Sequence, residues 1–188
     1  MRNLFLIFVL LFSFNCVCQT KLSYGFKAGI NVSGLHTKTN APTGRIGFNA
    51  GVVAQFKFNP KLALQGELIF NEKGGTFYPD VNSGYSFDAN LNYINLPVVA
   101  QINLLKKLKL EIGPEFGFLI SENYKQDGQL IAFGNAEKTD FGAVLGFSYE
   151  FQNRMFLQPR FTWGLSTLYE GRSYGNSCAS LSLGYYLN

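Results

Sequence analysis

From residue 22 onward, apolar and polar positions alternate with a period of two, not the 3.6 of an amphipathic helix. In segment 22–33 the even positions are Leu22, Tyr24, Phe26, Ala28, Ile30 and Val32; the odd ones are Ser23, Gly25, Lys27, Gly29, Asn31 and Ser33. The same division recurs in 46–58, 62–70, 94–104, 108–120, 141–151, 155–165 and 179–187, so the pattern predicts eight strands. The apolar faces occupy about 48 positions and hold no charged, serine, threonine or amide side chain. The opposite faces carry ten glycines (Gly25, Gly29, Gly47, Gly51, Gly113, Gly117, Gly142, Gly146, Gly164 and Gly184) with most of the serines, amides and charges, and only Gly66 falls on the apolar side.

The size of these residues decides which face points inward. An eight-stranded barrel has a lumen barely wide enough for ordinary side chains. A soluble, lipocalin-like barrel would have to pack nearly all of the large apolar groups into that lumen and expose a wall of glycine to water. With the pattern reversed, glycine and short polar groups line the lumen and the large apolar groups meet lipid. The expected fold is therefore all-β: a single eight-stranded antiparallel up-and-down transmembrane β-barrel.

The connections agree with this. Segments 59–61, 105–107 and 152–154 are short, whereas 34–45, 71–93, 121–139 and 166–178 are long and rich in Gly, Asn, Ser and Thr. Short periplasmic turns alternating with long external loops are the arrangement of outer-membrane barrels, and strands of roughly 10–13 residues cross a bilayer when tilted by ~45°. Aromatics are expected to form two girdles. Tyr24, Phe26, Phe56, Phe58, Tyr149, Phe151 and Tyr185 fall near the periplasmic ends, and Phe48, Phe70, Phe116, Phe118, Phe141 and Trp163 near the outer ends.

Composition narrows the class further. Charged residues are 15% of the chain and hydrophobic ones 47%, and the net charge of +4 is spread along the sequence, so no nucleic-acid footprint is present. The N-terminus has Arg2, an apolar run from Leu4 to Phe14 and a small-x-small site at Cys16-Val17-Cys18. That run is too short to span a bilayer but suits a secretory signal peptide. Residues 1–18 are read as the signal and 19–188 as the barrel domain. Removal of the signal leaves Cys178 as the one thiol, without a disulfide partner in the chain.

The strand sequences resemble the PorT-like outer-membrane β-barrel proteins. The similarity runs from KLSYGFKAGINVSGL at 21–35 to LSLGYYLN at 181–188, and NYINLPVVAQINL at 92–104, LEIGPEFGFLIS at 110–121 and DFGAVLGFSYEF at 140–151 carry most of it; PRFTWGLSTL at 159–168 is similar to the seventh strand. The resemblance implies a single-domain barrel in the outer membrane of a Gram-negative cell, reached by signal-dependent export. It implies lipid and the barrel-assembly machinery as partners. One member type serves a secretion and gliding apparatus.

Candidate chemistry is sparse. The one histidine, His36, sits in the first external loop with no acidic neighbour in sequence, so a nucleophile–base pair is not expected. No D-x-D-x-D run or phosphate loop is present, and no cofactor or metal is expected. The inward charges are more informative. Lys27, Glu67, Glu115 and Arg160 fall at similar counts from the periplasmic end, with Glu111 a step lower. Charges in a narrow lumen are costly unless paired, so these five are expected to form a salt-bridge network that closes the barrel. Lys57, Lys109 and Glu150 are expected at the solvated periplasmic rim, and Asp140 at the external end of its strand. Phe77, Tyr78, Tyr85 and Phe87 in loop 71–93 offer aromatic contacts to an envelope or secretion-system protein. The expected role is non-enzymatic, structural or partner-binding. A secretion accessory and a narrow small-solute pore are the alternatives.

Overall fold

The computed structural model describes residues 21–36, 43–77, 87–126, 129–131, 136–166 and 175–188. Eight long antiparallel strands close on themselves: β1 (Lys21–His36), β2 (Thr43–Asn59), β3 (Leu62–Phe77), β4 (Phe87–Asn103), β5 (Leu108–Gln126), β7 (Thr139–Glu150), β8 (Met155–Gly164) and β9 (Gly175–Tyr186). Each pairs with its sequence neighbour, and β1 closes the ring against β9. A three-residue strand, β6 (Gln129–Ile131), hangs on the outer end of β5. The signal-peptide reading of residues 1–18 lies outside the described residues.

Register shows how steeply the strands are tilted. A row of paired residues leaving Lys27 passes through Gly51, Ile69, Asn95 and Gly117 and reaches β7 at Asp140. Followed the other way, through Gly184 and Phe156, the row reaches β7 at Glu150. The closed barrel is thus staggered by ten residues. With eight strands at ordinary spacings, that stagger corresponds to a tilt of about 40°.

The faces divide by parity. Ile30, Val52, Leu68, Ile112, Leu145 and Leu183 are exposed on the outer wall, while Lys27, Glu67, Gln101, Glu111 and Gln158 are buried inside. Outer-wall aromatics meet at two levels: Phe26 with Tyr185 and Tyr149 with Phe151 toward the short turns, Phe48 with Phe70 and Phe116 with Phe141 toward the long loops. The lumen is not wholly polar. Phe156 and Tyr186 stack with ring centroids 4.5 Å apart and pack with Val53 toward the periplasmic end.

Three of the four long connections contain more strand than the alternation predicts. Segment 71–93 is mostly a paired hairpin, in register up to Phe77 opposite Phe87. β5 continues to Gln126, and β9 starts at Gly175. A register shift between β4 and β5, where Asn92 faces Ser121 and Tyr93 faces Leu119, leaves Ile120 as an extra residue. One extra residue turns every later side chain to the other face. Tyr124 therefore points inward, and with Ala89, Leu91, Tyr93 and Ala136 it forms an apolar cluster at the outer end. Loop composition hides this hairpin because Gly74, Gly75 and the asparagines within it read as turn formers.

Glycine has a second use besides narrowness. A Cβ on Gly113 would lie 2.0 Å from the Val98 carbonyl oxygen, whereas one on Gly66 would meet nothing within 4 Å. Gly113→Ala is expected to lower stability by about 1–3 kcal/mol, because backbone on the neighbouring strand must move. Gly66→Ala is expected to be neutral or stabilising by up to about 1 kcal/mol. Urea titration of both variants in lipid vesicles measures the contrast.

Candidate functional site

The lumen holds layers of polar groups. Toward the periplasmic end, Gln55 donates to Gln101 at 2.6 Å and to the Tyr186 hydroxyl at 2.9 Å. Tyr186 in turn donates to Gln65 at 2.9 Å. Below this layer Lys109 bonds Glu150, and Lys57 stands 3.8 Å from the same carboxylate. Lys109 is thus buried and ion-paired rather than solvated, because the tilted wall of β5 carries it inside the rim.

The next layer centres on Arg160. Its guanidinium donates twice to Glu67, at 2.6 and 2.9 Å, and its Nε donates to Glu111 at 2.6 Å. Lys27 reaches the second Glu67 oxygen at 2.7 Å. Planar guanidinium matches a carboxylate in this forked geometry better than a point-charge ammonium does. Glu111 also accepts from Gln101 at 2.6 Å and Gln158 at 2.9 Å, while Gln65 donates to Glu67 at 2.5 Å. The Gln158 oxygen accepts from Lys27 at 3.2 Å. Both carboxylates of this layer are fully buried.

Of the five charges expected together, the structure gathers Lys27, Glu67, Glu111 and Arg160. Glu115 lies higher, in a second layer. It accepts from Lys73 at 2.9 Å, from Asn95 at 2.6 Å and from Thr162 at 3.5 Å. Lys73 also stands 3.6 Å from Asp140 and sits over the Tyr93 ring, 5.5 Å from its centroid. Asp140 accepts from Ser166 at 2.6 Å, tying the second layer to the end of β8. The stagger explains the reassignment: rows of paired residues climb around the barrel, so equal counts from the turns are not equal heights.

Lys73 is the functional residue that loop composition concealed. It lies six residues past Glu67 on β3 and therefore shares its face. Continuing the period-two count through Asn71, Lys73 and Gly75 finds it. His36 is the last residue of β1. Phe77 and Phe87 are the terminal register pair of the β3–β4 hairpin, whereas Tyr78 and Tyr85 lie outside the described residues. Cys178 is buried with a free thiol. Among the described residues no group of His, Cys, Asp and Glu is arranged to hold a metal ion.

A family model described as "Outer membrane protein beta-barrel domain" matches residues 17–170. No significant match to a curated protein is found. Among solved structures, the chain is similar to Ail, the attachment invasion locus protein of Yersinia pestis, with 16% identity and a TM-score of 0.55 over 88% of this chain and 98% of that one. It is also similar to Neisserial surface protein A, with 12% identity and a TM-score of 0.56 over 88% and 98% of the two chains. At such identities the likeness is one of fold.

Lys73→Ala removes the cation from two buried carboxylates and is expected to cost about 3–5 kcal/mol of stability. Combining it with Glu115→Gln should recover part of the loss, since each single change strands the other partner. Urea midpoints of the two single variants and the double variant, compared as a cycle, check this.

Proposed function

Because the chain belongs to the outer membrane protein beta-barrel domain family, an integral outer-membrane class, we propose that it is a non-enzymatic barrel that does not conduct and that acts through its external end. The observation carrying this reading is the pair of stacked ion-pair layers. Arg160 and Lys27 bridge β1, β3, β5 and β8 in one layer, and Lys73 joins β3, β5 and β7 in the other. A solute would have to break both in series. Above them the outer ends of β3, β4 and β5 project as a wall, since these strands run 16, 17 and 19 residues against 12, 10 and 12 for β7, β8 and β9. That wall, with the loops around Phe77, Tyr78, Tyr85 and Phe87, is the proposed contact surface for an envelope partner. Biogenesis in this reading uses residues 1–18 as an export signal and the barrel-assembly machinery for insertion.

A second reading makes the protein an accessory subunit of a secretion system. It is favoured by the PorT-like stretches at 92–104, 110–121 and 140–151. Deleting the gene and assaying exported proteins separates the two readings: unchanged secretion rejects the accessory role.

In planar bilayers the wild-type barrel is expected to show no steady channel. Arg160→Ala alone should lower the urea midpoint, with a loss of about 3–5 kcal/mol for an uncompensated buried carboxylate. It should open little conductance, because the Lys73 layer remains. Arg160→Ala with Lys73→Ala is expected to conduct. Large steady channels in the wild type would reject the closed barrel in favour of the small-solute pore.

A further inference from the structure

The two ends of the barrel differ in charge. At the short-turn end, Lys57 and Lys109 share Glu150, and five more cations, Lys21, Lys61, Lys106, Lys107 and Arg154, have no carboxylate within ion-pair distance among the described residues. Glu150 is the one acidic side chain at this end among them. The outer end mixes signs, with Arg45, Lys125 and Lys138 beside Glu72, Asp88, Glu122 and Glu137. A basic ring at one end only has no role in folding the barrel, since it satisfies no buried group.

Next to this ring the outer wall is dented. Ala54 pairs with Gly66, the one lipid-face position without a side chain, and the two floor a depression of about 480 Å³. Tyr24 and Phe26 on β1 and Val52 and Leu68 on β2 and β3 form its sides, each about half exposed. Leu187 also lines it, and the Arg154 guanidinium donates to the Leu187 carbonyl at 3.0 Å. Lys21 lies three residues below Tyr24 on β1, roughly 10 Å along the strand. Lys61 lies in the turn below Gly66. The dent lies between cations at the rim and hydrocarbon above, at the spacing of a phosphate from the upper part of its acyl chain.

We propose that this is a binding site for an anionic phospholipid of the periplasmic leaflet, with its phosphate held by Lys21, Lys61 and Arg154 and one acyl chain laid over Ala54 and Gly66. The proposal rests on the short turns being periplasmic. Charge complementarity selects the occupant: a second copy of the chain would bring the same basic ring against itself. Basic side chains near an anionic membrane surface each contribute a factor of about five in association, so three of them discriminate between lipid head groups.

The test uses the folded barrel in detergent, with spin-labelled phosphatidylglycerol and phosphatidylcholine as probes and heat-modifiable gel migration as the control for folding. The wild type should retain phosphatidylglycerol at least about fivefold over phosphatidylcholine at low salt, and the preference should fade in high salt. Lys21→Gln, Lys61→Gln and Arg154→Gln together should bring the ratio close to one while leaving migration unchanged. Gly66→Leu fills the dent without a clash and should remove the motionally restricted fraction for both lipids. Equal retention of the two lipids by the wild type, or an unchanged ratio in the triple variant, overturns the proposal. So does Gly66→Leu leaving lipid retention intact while dissociating a dimer, which would assign the dent to a second copy. The readout is independent of conductance, so failure of the closed-lumen reading leaves it standing, and the reverse holds too.

Discussion

In hydrocarbon a backbone N–H or C=O finds no partner except another strand, so the sheet must close and leave no edge within the bilayer. The rest of this structure follows from that closure. Eight strands meet end to end with a stagger of ten residues, and the stagger sets the tilt, the width of the lumen and the heights at which side chains meet. Where the coiled wall brings backbones together, as between Gly113 and Val98, there is no space even for a Cβ.

A narrow lumen leaves little room to hydrate a charge, and this governs which groups it contains. Three cations, Lys27, Lys73 and Arg160, stand against four carboxylates, Glu67, Glu111, Glu115 and Asp140. The remaining lone pairs are met by neutral donors: Gln101 and Gln158 for Glu111, Asn95 and Thr162 for Glu115, and Ser166 for Asp140. Removing the neutral members would unbalance the layers as surely as removing a cation, because a buried carboxylate short of donors is itself destabilising. Arginine stands where two carboxylates converge, and lysine where one dominates.

The ends are built for different surroundings. At the outer end, the extra residue at Ile120 turns Tyr124 inward, and the resulting apolar cluster lets β3, β4 and β5 stand beyond the shorter strands. At the periplasmic end a layer of glutamines and the Phe156–Tyr186 stack close the lumen, and unpaired basic residues ring the rim. One wall therefore offers a protein-sized surface to the outside, while the other end presents charge to the inner leaflet.

Period-two alternation needs only neighbours in sequence, so strand number, inward face and membrane placement are legible from residues 22–187 alone. The same parity puts Lys27, Glu67, Glu111, Glu115 and Arg160 on the lumen side. Which of them touch is a different matter, because ion-pair partners lie on strands far apart in sequence and their relative heights depend on the stagger. Only the closed barrel carries Glu115 above the Arg160 layer and brings Lys73 to it. The reach of β3 and β4 past residue 70 was equally hidden, since asparagine and glycine read as loop until a neighbouring strand supplies their hydrogen bonds. Local chemistry determined which way each side chain points; closure of the sheet decided what it meets there.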